Sequence, residues 1–345
     1  MEIIDQTRLP HDLVLVELRQ LDDYCRAIDT MQVRGAPLIG ITAAHALASC
    51  LRADPSPESE QKARQKLLAT RPTAINLRWA LERVQAAIAE APLEMRAAVA
   101  LREARALEAE DVATCEAIGA HGLPLLQQLA ETRKGATLQV LTHCNAGWLA
   151  ALQWGTALAP IYQASAAGLE IHVWVSETRP RNQGLSLTCW ELADAGIAHT
   201  VITDSAAGHL LQAGRVDCCL VGSDRTVANG DVCNKVGTYL KALAAQDNQV
   251  PFYVALPTST IDWECADGAG IPIEERAESE VLHMPGRDQE GREASVRLGA
   301  EATRAFNPAF DVTPARLVTA LITEFGVVAP GSLQQLRDIA RSKRC

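Results

Sequence analysis

Apolar positions along this chain follow two different rhythms, and the change falls near residue 135. From Ile39 to Leu51 an Ala-rich apolar stretch runs on until Asp54-Pro55-Ser56-Pro57, a loop by composition. Lys62 to Ala69 and Leu77 to Ala89 space apolar residues three and four apart with charges between them. Met95 to Ala109 and Glu110 to Leu129 continue the pattern. That spacing lays one apolar face along a helix. Thr73, following Arg71-Pro72, stands where an N-cap belongs. A mainly helical N-terminal domain over residues 1–135 is predicted.

From Thr137 the apolar runs shorten. Leu138 to Leu141, Ile171 to Ser176, His199 to Thr203, Cys218 to Val221 and Phe252 to Leu256 read as strands. Trp148 to Ala167, Leu185 to Ala195, Ala206 to Ala213 and Val232 to Ala245 read as the helices between them. Strands alternating with helices of this length form βαβ units and a parallel sheet, so residues 136–345 are predicted to be an α/β domain. Asp231 is the expected cap of the helix from Val232. Met284 to Ala294 is expected to be an exposed loop or hairpin. A last helix is expected over Pro314 to Phe325, with Thr313 as its cap and Pro314 at its first position.

Composition narrows the function more than the fold. No run approaches the ~20 apolar residues of a membrane span. A net charge of −10 disfavours nucleic acid and anionic membrane surfaces as partners, while a few arginines still suffice for a small phosphorylated ligand. The ten cysteines form no C-x-x-C pair, and no paired His spacing accompanies them, so neither a structural metal nor a disulfide framework is expected. The reading is one of reduced, cytoplasmic thiols.

Two strand ends carry the candidate chemistry. The first strand runs into Thr142-His143-Cys144-Asn145-Ala146-Gly147, and the run Val216 to Val221 ends in Gly222-Ser223-Asp224-Arg225. In open parallel sheets such turns lie at the carboxyl edge, where ligands bind. On local features Cys144 is either a core thiol or a working one; at a helix N-terminus its pKa would be lowered. Asp224 is not needed as a cap, because Asp231 is better placed. In an apolar pocket its pKa would rise and suit a general acid, with Arg225 opposing the rise. Arg34, before Gly35-Ala36-Pro37 and an apolar helix, and Arg71, before another helix start, are candidate anion ligands. Asn234 and Lys235, expected to open the helix after Asp231, and Gln183, after Arg179-Pro180, extend that polar lining. His143 is no partner for Cys144 by adjacency, since neighbours on a strand face opposite ways. No Gly-rich cofactor loop or nucleophile elbow is present.

Several segments together resemble the methylthioribose-1-phosphate isomerase family. They are Val-Arg-Gly-Ala-Pro at 33–37, Arg-Pro-Thr-Ala-Ile-Asn-Leu at 71–77, Thr-His-Cys-Asn-Ala-Gly at 142–147, Glu-Thr-Arg-Pro at 177–180 and Gln-Gly at 183–184. Gly-Ser-Asp-Arg at 222–225, Asn-Gly-Asp at 229–231, Asn-Lys-Val-Gly-Thr-Tyr at 234–239, Ile-Pro-Ile-Glu-Glu-Arg at 271–276 and Asn-Pro-Ala-Phe-Asp-Val-Thr-Pro at 307–314 follow in order. The resemblance implies a helical N-terminal domain, a Rossmann-like C-terminal domain with a mostly parallel sheet, a homodimer, and aldose–ketose isomerisation of a sugar 1-phosphate in methionine salvage, with no cofactor and no metal. It implies Cys144 and Asp224 as the catalytic pair and Arg34, Gly35, Ala36, Arg71, Gln183, Asn234 and Lys235 as substrate-binding positions. Related frameworks serve isomerases of 5-deoxyribose 1-phosphate or ribose 1,5-bisphosphate, and non-catalytic regulatory subunits that sense sugar phosphates or nucleotides. Ser223 stands where relatives commonly have Ala.

Overall fold

A computed structural model describes residues 1–71 and 74–342; Thr73, the expected N-cap, lies outside the described residues. A short antiparallel pair that the sequence did not announce, β1 (Glu2–Ile4) and β2 (Leu15–Glu17), opens the chain. Helices α1 (Leu21–Asp29), α2 (Ala36–Ala53), α3 (Pro57–Thr70), α4 (Ile75–Ile88) and α5 (Arg96–Thr132) follow. The two stretches expected on either side of Glu110 are one continuous helix, α5. Their apolar side chains build a first core, in which Ile41, Leu47 and Leu51 of α2 meet Leu81 and Val84 of α4 and Ala100 and Leu107 of α5. α2 is long and apolar enough to resemble a membrane span, but most of it is buried in this core. The far half of α5 belongs to a second core, where Ile118 and Leu126 pack on the sheet.

The remainder alternates as anticipated: β3 (Leu138–His143), α6 (Leu158–Ala166), β4 (Ile171–Ser176), α7 (Cys189–Asp194), β5 (Ala198–Ile202), α8 (Ala206–Gln212) and β6 (Cys218–Val221). Then come β7 (Arg225–Val227), β8 (Val232–Lys235), α9 (Thr238–Asp247), β9 (Phe252–Ala255) and β10 (Ile261–Asp262). The chain closes with α10 (Glu278–Leu282), β11 (His283–Arg287), β12 (Glu293–Arg297), β13 (Phe310–Thr313), β14 (Ala320–Thr323), β15 (Gly326–Val328) and α11 (Leu333–Ser342). The main sheet has the order β15-β14-β9-β6-β3-β4-β5 and is parallel except for β15. A smaller sheet, β10-β7-β8-β13, stands beyond the end of β6, and β11 and β12 form the expected hairpin.

Strand alternation feeds two cores, one on each face of the main sheet. Cys218 and Leu220 of β6 point to the side of α5 and α6, while Cys219 and Val221 point to α8 and α9, as a two-residue period demands. Both cysteines behave as small buried hydrophobes. The chain enters the sheet at β3, moves outward through β4 and β5, then returns to β6 on the other flank of β3. That reversal leaves a crevice beyond the carboxyl ends of β3 and β6.

Three expected helices are otherwise. Trp148 to Ala167 is only a 3₁₀ turn at Trp148–Ala150 and, later, α6. Between them Trp154 and Gly155 take positive φ, and the amides of Thr156 and Leu158 both return to the carbonyl of Ala146, folding the segment back beside the crevice. Val232 to Lys235 is strand β8, and α9 starts only after Gly237, whose φ of +101 ends the strand geometry. Asp231 is therefore not a cap; its carboxylate accepts the amides of Ala315 and Gly268. Asp311, across on β13, takes the amides of Gly237 and Tyr239 at the start of α9. Pro314 to Phe325 holds a 3₁₀ turn and β14, because Ala320 to Ile322 pairs with β9. A short, wholly apolar run has no period that separates helix from buried strand. Thr313 accordingly ends β13 and caps nothing.

Candidate active site

The turn after β3 is held in an unusual shape. Cys144 has φ +66, a region that costs an L-residue about 1 kcal/mol or more. Two threonines hold it there: the Cys144 amide donates to Thr178 Oγ1 at 2.8 Å, and Thr188 Oγ1 donates to the Cys144 carbonyl at 2.7 Å. The thiol donates to Gln183 Oε1 at 3.4 Å. His143 is buried behind this turn, where its Nε2 bonds the carbonyl of Val236 at 2.9 Å. A ring nitrogen can only donate to a carbonyl, which fixes that tautomer. Burial pushes its pKa down, so His143 is a neutral packing group and takes no part in a dyad with Cys144.

The turn after β6 reaches the same place. Gly222 packs so close to Ala146 that a Cβ on it would lie 2.7 Å from that methyl, so the two strand ends touch. The Asp224 amide donates to the carbonyl of Cys233 in β8 at 3.0 Å, which brings Lys235 at the end of β8 to the same cavity. From the helical side, Gly35 at φ +90 fits against Ala150, where a Cβ would sit 2.4 Å from the carbonyl oxygen. Only glycine lets the start of α2 approach the crevice this closely.

Arg34, Gly35, Ala36, Arg71, Cys144, Gln183, Asp224 and Lys235 thus line one cavity, from segments up to 201 positions apart in sequence. Asn234 lines the adjoining hollow together with Arg34, Cys144 and Asp224 and donates to Thr238 Oγ1 at 3.1 Å. Every residue named from the sequence is therefore at this crevice. Reasoning from the sequence missed Met31, Phe310 and Arg276 as lining residues. Arg276 was visible only within the Ile271–Arg276 segment, with no local mark of a ligand. It is steadied by Glu274 at 2.6 Å and Glu280 at 3.1 Å.

The charges are tuned by burial. Asp224 opens into the cavity but lies deep in the protein, and desolvation pushes its pKa up, against the pull of Lys235, Arg34 and Arg71. Arg225 lines the same cavity and lies 3.6 Å from Asp262, while the leading opposing charges are Lys235, Arg34 and Arg71. Desolvation also pushes the Cys144 thiol up, with Arg34 and Lys235 countering. The lowered value expected of a helix N-terminus does not arise, because only the 3₁₀ turn at Trp148–Ala150 follows. Lys235 is pushed down by burial and drawn back by Cys144 and Asp224; its ammonium also lies 5.2 Å from the centre of the Phe310 ring.

A thiol, a carboxyl and several cations facing one cavity at the sheet's switch point describe a site for a small anionic substrate. Against known proteins, the model of the initiation factor 2 subunit family matches residues 32–330. The chain belongs to that family. Among its relatives, methylthioribose-1-phosphate isomerase of Methylorubrum populi is 60% identical over 328 residues, covering 95% of this chain and 90% of its own. The enzyme of the same name from Methylocella silvestris is 56% identical, again over 95% of this chain and 90% of its own. A crystal structure of 5-methylthioribose 1-phosphate isomerase from Pyrococcus horikoshii superposes with a TM-score of 0.84 at 35% identity, over 99% of this chain and 93% of that one. A structure of the translation initiation factor eIF-2B subunit delta from A. fulgidus gives 0.78 at 40% identity, over 96% and 94%. Within the initiation factor 2 subunit family, one framework therefore carries both an isomerase name and an initiation-factor name, and the side chains in the crevice must distinguish them.

Proposed function

We propose that this chain is an aldose–ketose isomerase that converts 5-methylthioribose 1-phosphate to 5-methylthioribulose 1-phosphate in methionine salvage. The observation that carries the reading is the meeting of Cys144 and Asp224 in one buried, cation-lined cavity. A regulatory subunit that only sensed a ligand would need neither a strained thiol nor a desolvated carboxyl.

The substrate's anomeric oxygen carries phosphate, so the ring cannot open by loss of a hemiacetal proton. Asp224, whose pKa burial pushes up, gives its proton to the ring oxygen as the C1–O4 bond breaks. The hydrogen on C2 then moves to C1 with its electron pair, and the C2 hydroxyl returns its proton to the Asp224 carboxylate. The C2 ketone forms and the enzyme regains its starting state, with no atom or electron left over. Cys144 rests as a thiol, so it shapes and polarises the cavity around C1 and C2 while the hydrogen passes directly. The alternative, a proton carried by a Cys144 thiolate through an enediol-like species, requires the form that burial disfavours. Arg34, Arg71, Lys235 and Arg276 hold the phosphate and hydroxyls, with Gln183 and Asn234 completing the lining.

The methylthio group at C5 is taken from the relatives, which carry that substrate in their name at 60% and 56% identity. We propose a homodimer in a reducing cytoplasm, on the reading of ten cysteines without a C-x-x-C pair as reduced thiols.

One assay tests both reaction and route: 5-methylthioribose 1-phosphate deuterated at C2, beside 5-deoxyribose 1-phosphate and ribose 1,5-bisphosphate. Preferential ketose formation from the methylthio sugar, with deuterium kept at C1, is expected. Preference for another sugar overturns the substrate, loss of label to water overturns the direct shift, and binding without turnover overturns the enzyme.

A further inference from the structure

Outside the cavity lies a buried carboxylate that the reaction does not use. Glu191 of α7 is fully buried, yet four donors converge on it. Oε1 accepts from Asn145 Nδ2 at 2.7 Å and the Leu149 amide at 3.3 Å. Oε2 accepts from the Trp148 amide at 2.7 Å and the Tyr162 hydroxyl at 2.9 Å. Gly147 leaves the room for it, since a Cβ there would lie 1.9 Å from Oε2. An isolated carboxylate in such a place would be very costly, and a capping role would not require it to be buried.

The link to the cavity runs through Asn145, the residue after Cys144. A carboxylate oxygen can only accept, so it compels the Asn145 amide to turn its NH2 toward Glu191. The amide oxygen is then left facing Arg34, whose Nη1 donates to it, and Arg34 Nη2 donates to the Asn145 main-chain carbonyl at 2.7 Å. Asn145 Nδ2 also donates to Thr188 Oγ1 at 3.1 Å, and Thr188 in turn holds the carbonyl of Cys144. We propose that Glu191 is a positioning residue for this site: through the orientation of Asn145 it aims the Arg34 guanidinium into the cavity and steadies the Cys144 turn. This rests on the reading of Arg34 as a ligand of the phosphorylated sugar.

A double-mutant cycle tests it. Glu191→Gln keeps the shape but brings a donor into a ring of donors, so one hydrogen bond must be reversed or lost. We expect kcat/KM to fall about 10- to 100-fold, with the same division between KM and kcat as Arg34→Ala shows, and with folding preserved by circular dichroism. In an Arg34→Ala background the same change should cost less than about 3-fold, because the two act as one unit. Additive losses, or a different KM and kcat division, overturn the proposal. Asn145→Ala, which cuts the relay while leaving Glu191 three donors, should mimic Glu191→Gln and carries the same cycle if that variant fails to fold. Should the wild type not turn over the methylthio sugar, the functional reading fails first. The cycle is then read as the Kd for inorganic phosphate, where an Arg34→Ala variant that binds as well as wild type overturns this inference too.

Discussion

In the proposed reaction Asp224 is the general acid, and surroundings that oppose its ionisation have consequences for both rate and stability. As a general acid it must hold its proton at working pH, so activity should decline on the alkaline side as the raised pKa is passed. Asp224→Asn should lower kcat by about 100- to 10,000-fold and Cys144→Ser, which alters only the shape and polarity around C1 and C2, by about 10- to 100-fold, while near-UV circular dichroism stays as in wild type; near-normal turnover in either removes that residue from the mechanism. The same desolvation makes Asp224 a liability to the fold. Below the ordinary carboxylate range of about 4, both folded and unfolded chains keep the proton and no penalty arises. As pH rises, the unfolded chain releases it first, and stability falls until the raised folded value is reached. Asp224→Asn should therefore melt higher than wild type at neutral pH, with the gap closing in acid. Thermal melts across pH check this, and an equal or lower Tm at neutral pH argues against the raised carboxyl.

At the scale of elements, the site depends on close approaches between pieces of backbone. The start of α2 meets the Trp148–Ala150 turn at Gly35, where positive φ and a 2.4 Å approach to the Ala150 carbonyl leave no place for a side chain. Gly35→Ala combines strain with a backbone clash and should cost about 1–3 kcal/mol. It should also displace Arg34, so that kcat/KM falls even at temperatures where the variant is folded. Denaturant melts and kinetics at low temperature separate the two effects; a stable variant with reduced activity would place the whole cost at the site. The expected helix at Val232 fails for a related reason. Partnership with β7 and β13 outweighs the local pattern, and the resulting strand is what delivers Asn234 and Lys235 to the crevice.

Across the whole molecule, α5 runs from the helical core to the sheet core and so joins the cations of the N-terminal side to the thiol and carboxyl of the sheet. Ligand binding to a cavity built this way should stabilise the folded chain by mass action. If the proposed homodimer is correct, sedimentation at micromolar concentration gives the mass of two chains, and a single-chain mass at that concentration overturns it.

Much of this was legible in the chain itself. The period change near residue 135 announced helices and then a parallel sheet, because burying one face of a helix and both faces of a strand leaves different marks. The strand-end turns at Cys144 and Asp224 were likewise visible, since polar groups at the ends of apolar runs are exposed to whatever lies beyond the sheet. What the tertiary structure decided were quantities set by neighbours far away in sequence. Burial raised the Cys144 thiol, a choice that local features left open; Lys235, Arg34 and Arg71 supplied the leading charges against the Asp224 shift; β9 drew Ala320 to Ile322 into a strand. Glu191 showed no sign in the sequence, for a carboxylate in a short helix gains its meaning only when four donors from other segments close around it.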